Sequence, residues 1–136
     1  MTIVKGRTGV TNGSLKEWQQ LISYMKSNSL ADEEHLAYVM ERMDVENYLT
    51  MVAFQMISGN NDIGNQRFYK FEGGKFRWVL YDLDAAMQST DRVPIGYFTK
   101  SIREENTLFY HEPFAALMKN SDMKDLFLII CGRLMA

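Results

Sequence analysis

Residues 59–84 read GNNDIGNQRFYKFEGGKFRWVLYDLD, and this stretch decides the fold. The Gly73-Gly74 pair predicts a two-residue hairpin turn, because glycine adopts the positive φ that such turns demand. Counting outward from it sets Glu72 opposite Lys75, Tyr69 opposite Trp78 and Asn65 opposite Asp82. Directly opposed residues of an antiparallel pair have Cβ atoms roughly 5 Å apart. An amide oxygen and a carboxylate at that separation can share one divalent cation. The hairpin is therefore expected to fold two polar clusters into one site. One is Asn60, Asn61, Asp62 and Asn65; the other is Asp82 and Asp84.

The second arm supports this expectation. Phe76, Trp78 and Leu80 alternate with Lys75, Arg77 and Val79, the pattern of a strand with one buried face. Asp82 and Asp84 continue the parity of the buried side, where an unpartnered carboxylate is costly. Plainer explanations stay open beside the metal reading. Asn-Asn-Asp-Ile-Gly-Asn also suits a turn held by its own side chains. Asp84 could cap a helix starting at Ala85. Phe76, Trp78 and Tyr69 read as core, and the ten methionines as adaptable filler.

Upstream, residues 1–13 show no period and read as a leader. Ser14 with Glu17 three residues on forms a capping-box pattern. Leu15, Trp18, Leu21, Ile22 and Met25 then predict an amphipathic helix over residues 14–26. Ser29 to Asp32 repeats the capping signature, and Leu36, Val39, Met40 and Met43 mark one face of a second helix. Asp44 is placed to cap a third helix reaching Ser58. That helix is apolar nearly all round, which predicts burial, and Gly59 is suited to end it.

Downstream, residues 89–112 are polar and irregular, a long loop that could face a substrate. Pro113 opens a short helix through Lys119. Ser121 or Asp122 caps the last helix, whose residues 125–135 are apolar and stop without a polar tail, as in a piece of a longer protein.

Composition narrows the classes. The 136 residues suit one domain able to bury a core. A net charge of −2 gives no reason to expect nucleic acid or an anionic membrane as partner. One cysteine, Cys131, provides neither a disulfide nor a thiolate cluster, and its apolar setting favours an inert thiol. His35 and His111 lie too far apart in sequence to suggest a histidine metal site. No run approaches the roughly 20 apolar residues of a membrane span, and MTIVKGRTGV has no apolar core of a secretory signal. Nucleophile elbow, Walker loop and HExxH motifs are all missing.

In MDVENYLTMVAFQMISGNND, GNQRFYKF and GGKFRWVLYDLDAAM the chain resembles the spore-coat CotH kinase family, an atypical branch of the protein-kinase-like fold. The helical run upstream and Phe114 to Asn120 resemble further family segments, so the likeness spans about residues 14–135. It implies phosphoryl transfer from ATP, with Mg²⁺ or Mn²⁺, to a hydroxyl of a protein substrate, a spore-coat or surface protein of a bacterium. On that template Asp62 orients or deprotonates the acceptor hydroxyl. Asn65 is a metal ligand, and Asp82, with Asp84 beside it, chelates the metal bridging the phosphates. The loop from Asp62 to Asn65 is about two residues shorter than in usual members and lacks their frequent aromatic. The phosphate-covering loop and phosphate-binding lysine would precede Met1, and Lys5 is passed over because no strand is expected around it.

The expectation is thus a single α+β domain over residues 1–136, helices on either side of a central two-stranded hairpin. It corresponds to the C-lobe portion of a CotH-like kinase and is inactive alone. The alternatives are a pseudokinase or structural coat module, and a Ca²⁺-stabilised surface domain, since oxygen ligands suit calcium equally.

Overall fold

A computed structural model describes residues 1–5, 9–58, 67–79 and 112–136. Its architecture is α+β, mostly helical with one antiparallel sheet. The first residues are not a leader. They form β1 (Thr2–Lys5) and β2 (Gly9–Asn12), which join β3 (Arg67–Lys70) and β4 (Arg77–Val79) in a four-stranded sheet of order β2-β1-β3-β4. Lys5 therefore does lie on a strand, with Gly9 across on one side and Arg67 on the other. Four residues are too few to display a period, and one of the two partners of β1, strand β3, lies more than sixty residues along the chain.

The β3–β4 register differs by one residue from the Gly73-Gly74 count. Arg67 pairs with Val79, Phe68 with Trp78 and Tyr69 with Arg77. The observed register centres the connection on Gly73, so that three residues, Glu72 to Gly74, separate Phe71 from Lys75 instead of two. Gly74 N–H donates to Phe71 O at 2.9 Å, so the tight turn spans Phe71 to Gly74 with Glu72 and Gly73 at its centre. Gly73, at φ 72°, occupies the third position, where a type II turn requires the left-handed region. A one-residue slip exchanges the faces of a strand. Here it brings Phe68, not Tyr69, beside Trp78 on the buried side.

The sheet is one-sided. Val4, Phe68, Phe76 and Trp78 are buried on the inner face, while Ile3, Tyr69, Arg77 and Val79 stay half-exposed or exposed. Such alternation is usual for an antiparallel sheet with one wet face. The helices are α1 (Lys16–Ser27), α2 (Glu33–Met40), α3 (Val45–Ser58), α4 (Glu112–Leu117) and α5 (Ser121–Met135). Trp18 of α1 is fully buried, its ring centroid 4.6 Å from Phe68, 5.2 Å from Phe76 and 5.7 Å from Trp78. Tyr48 of α3 meets Trp78 on the same face at 4.8 Å. Among the described residues the helices thus cover one face, rather than flanking the hairpin on both sides. Behind this layer α5 packs on α3, and α4 on α1.

Helix starts follow sequence chemistry, with shifts. Ser14 Oγ accepts from Lys16 N–H at 3.2 Å, but Leu15 occupies the N-cap of α1 and makes no side-chain cap. Glu17 turns instead to Lys70 of β3, at 3.1 Å. Asp32, not Ser29, caps α2 by accepting from Glu34 and His35 N–H. Asp44 caps α3 as expected, through Asn47 N–H at 3.1 Å. Asn120, rather than Ser121 or Asp122, caps α5. Met40 faces outward, whereas Leu36, Val39 and Met43 are buried. Helix α3 is buried over most of its circumference, from Val45 and Tyr48 to Ala53 and Gln55.

Candidate functional site

The frame of the candidate site is the β4 edge with the α2–α3 junction that lies against it. Strand β4 is an edge of the sheet, and the α2–α3 junction closes that edge. Asp44 N–H donates to Phe76 O and Phe76 N–H donates to Arg42 O, both at 2.9 Å, so Met43 and Phe76 run as a short parallel bridge. Two residues past Phe76, at Trp78 of β4, Asn47 takes over. Its Oδ1 accepts the Trp78 N–H at 2.6 Å and its Nδ2 donates to the Trp78 carbonyl at 3.1 Å. A primary amide carries both donor and acceptor, so one side chain can imitate the two bonds of a neighbouring strand. Arg77 lies over the same junction, its Nε 3.7 Å from Asp44 Oδ2.

Sequence reasoning passed over Asn47. The signal was present: an amide in the first turn of a helix otherwise apolar nearly all round needs a partner once buried. What the sequence could not supply was the partner, thirty-one residues away.

Deeper in the frame, Tyr48 ties α3 to α4. Burial pushes its phenol far above the ordinary tyrosine range, and a hydrogen bond with the Phe114 backbone offsets this in part. Asn120 makes a second long-range tie. Its Oδ1 accepts from Asp122 and Met123 N–H, and its Nδ2 donates to Leu30 O at 2.9 Å. Cys131, half-buried on α5, has its thiol raised by partial burial, which agrees with an unreactive role.

Asp62, Asn65, Asp82 and Asp84 lie outside the described residues, as do Asn60, Asn61 and His111. Their attachment points are described. Arg67, two residues after Asn65, pairs with Val79, three residues before Asp82. The described parts of the two arms thus meet at one cross-strand pair, in a register one residue away from the count that set Asn65 opposite Asp82. Asp62 follows four residues after Ser58, the last residue of α3. Among the described residues no cluster of three or more His, Cys, Asp or Glu could hold a metal ion, and no helix is long and apolar enough to cross a membrane.

The CotH kinase protein family matches the chain over residues 4–134, nearly its whole length, and the chain belongs to that family. No curated protein and no solved structure matches it.

Proposed function

We propose that this chain is the part of a CotH-family protein kinase that holds a divalent cation with ATP and orients the acceptor hydroxyl of a protein substrate. Membership of the family supports the reaction class. The observation that carries the site is the Arg67–Val79 pair, because the segments bearing Asn65 and Asp82 depart from adjacent strands there. A carboxylate and an amide oxygen form a hard-oxygen donor set suited to Mg²⁺ or Mn²⁺.

In this reading Asp82 and Asn65 hold the cation, with Asp84 beside them. Asp62 orients the acceptor hydroxyl and takes its proton as the oxygen becomes bonded to phosphorus. Bound Mg·ATP supplies the phosphoryl group, a counter-charge and ADP as leaving group; positioning and charge neutralisation are the protein's share of the work. Spore-coat or cell-surface proteins of a bacterium are the proposed acceptors. The short Asp62–Asn65 loop, lacking an aromatic, favours a second reading in which the fold binds nucleotide without turnover.

Calorimetric titration with Mg·ATP tests the proposal. Binding that is lost in Asp82→Asn supports it, and binding unchanged in that variant rejects it. Label transferred from γ-³²P ATP to a protein acceptor, and lost in Asp62→Ala, separates the active kinase from the second reading. Stabilisation by Ca²⁺ alone, with no response to Mg·ATP, would leave only a calcium-fixed binding domain.

A further inference from the structure

At the turn end of the β3–β4 hairpin a cleft of about 80 Å³ opens between α1, α2 and the sheet. Leu21 and Phe76, both buried, form its apolar floor. Its rim carries Glu17 and Gln20 of α1, Lys70 of β3, and Arg42 just past α2. The two cations are held in place before anything binds. The Arg42 guanidinium carbon lies 3.4 Å from the centroid of the Tyr38 ring, which itself stacks on Tyr24 at 3.7 Å. One Nη donates to Tyr38 O at 2.9 Å, and the Arg42 carbonyl accepts from Phe76 N–H. Its one ion pair among the described residues, with Glu41 at 3.5 Å, joins exposed groups and holds it weakly. Nε and the second Nη make no bond among the described residues. The Lys70 side chain is only 13% exposed, with its ammonium 3.1 Å from Glu17 and 3.4 Å from Phe71 O. An ammonium has three protons, so one is left for a ligand.

We propose that this cleft is a docking subsite for one carboxylate side chain of an acidic peptide segment, held between the open edge of Arg42 and the ammonium of Lys70. Two fixed cations above an apolar floor suit an anion, and a guanidinium edge offers parallel donors that match a planar carboxylate. Glu17 decides which anion. Its carboxylate lines the same cleft, so two cations against one acid leave a single net positive charge. One negative charge is therefore accommodated, whereas a phosphate dianion would be repelled by Glu17. The Gln20 amide adds a neutral donor at the rim. No nucleotide or metal takes part, so the inference stands apart from the kinase reading.

The test is fluorescence anisotropy of a labelled peptide of alternating Gly and Glu, titrated with the intact chain without ATP or metal. The expected result is saturable binding that weakens as salt is added. Affinity should fall about 10-fold in Arg42→Gln and in Lys70→Met, each of which removes one charge-assisted bond. Glu17→Gln should tighten binding, because it withdraws the competing carboxylate from Lys70. Lys124→Met, which removes an exposed cation of α5, should leave it unchanged. An equal loss in Lys124→Met would mean a diffuse charge effect and overturn the inference. So would unchanged or weaker binding in Glu17→Gln, absence of binding, or equal binding of the Gln counterpart of the peptide. A phosphoserine peptide that binds more tightly than the Glu peptide overturns the carboxylate assignment. Should Lys70→Met not fold, NMR of the unsubstituted chain decides. The Gln20 side-chain amide and Arg42 Nε signals should shift as peptide is added, and shifts confined to other residues reject the cleft.

Discussion

Strand β4 is bonded on both sides, to β3 along one edge and to the Arg42–Asp44 backbone and Asn47 along the other. At the opposite edge of the same sheet, β2 pairs with β1 alone among the described residues, and Thr11 and Asn12 reach only back to Ile3 and Met1. Both edges belong to short strands with similar local preferences. The difference lies in what covers them. An edge strand offers unpaired N–H and C=O groups, and at β4 the α2–α3 junction and Asn47 of α3 supply their partners. The comparison teaches that the β4 edge is covered by side-chain and backbone bonds from the α2–α3 junction and α3, whereas the β2 edge relies on β1 among the described residues.

The largest effect should come from the layer that both edges share. Trp18→Ala removes the ring packed on Phe68, Phe76 and Trp78 and should cost ~3–5 kcal/mol in denaturant unfolding. A much smaller loss would mean that the sheet does not depend on α1. Asn47→Ala strips two bonds and leaves the Trp78 backbone groups unmet, for an expected ~1–3 kcal/mol. It is the most direct way to make the β4 edge resemble the β2 edge, and hydrogen exchange at Trp78 should speed up while exchange in β1 holds.

Next comes Tyr48→Phe, which removes the tie to Phe114 at a cost of about 1 kcal/mol near neutral pH. Its pH signature is sharper. The native phenol is held protonated well above its ordinary value near 10.0, whereas the unfolded one ionises there. Above about pH 10 the unfolded state binds fewer protons than the native, so stability falls as pH rises. Tyr48→Phe should flatten that alkaline decline; urea unfolding at pH 8 and pH 10.5 measures it. Gly73→Ala probes the turn alone: the site has open space, but φ is 72°, so the cost is conformational, about 1 kcal/mol. Thr11→Val on the β2 edge should change stability by less than ~0.5 kcal/mol, because its contact is exposed and long at 3.4 Å. A larger change would show that β2 is held more firmly than its bonds suggest.

Much of the fold was legible because it is local. The alternation of Phe76, Arg77 and Trp78, the stripes of α1 and α2, the Asp44 cap and the all-round apolar α3 each follow from residues within a few positions of one another. The polar clusters could be named for the same reason. Their attachment to adjacent strands follows from the hairpin, but the alignment does not, because the Gly73-Gly74 pair permits a loop of two residues or of three, and the two registers differ by one.

What the sequence determined alone was therefore the kind of each long element, the buried side of β4 and the family to which the chain belongs. Tertiary structure alone decided the register of β3 on β4, the recruitment of β1 and β2, the gathering of the helices on one face, and the choice of Asn47 and Asn120 as ties. The division has a physical cause. Periodicity and capping are set by neighbours along the chain, whereas register and buried amide bonds are chosen by groups thirty to ninety residues apart that meet only when the core closes.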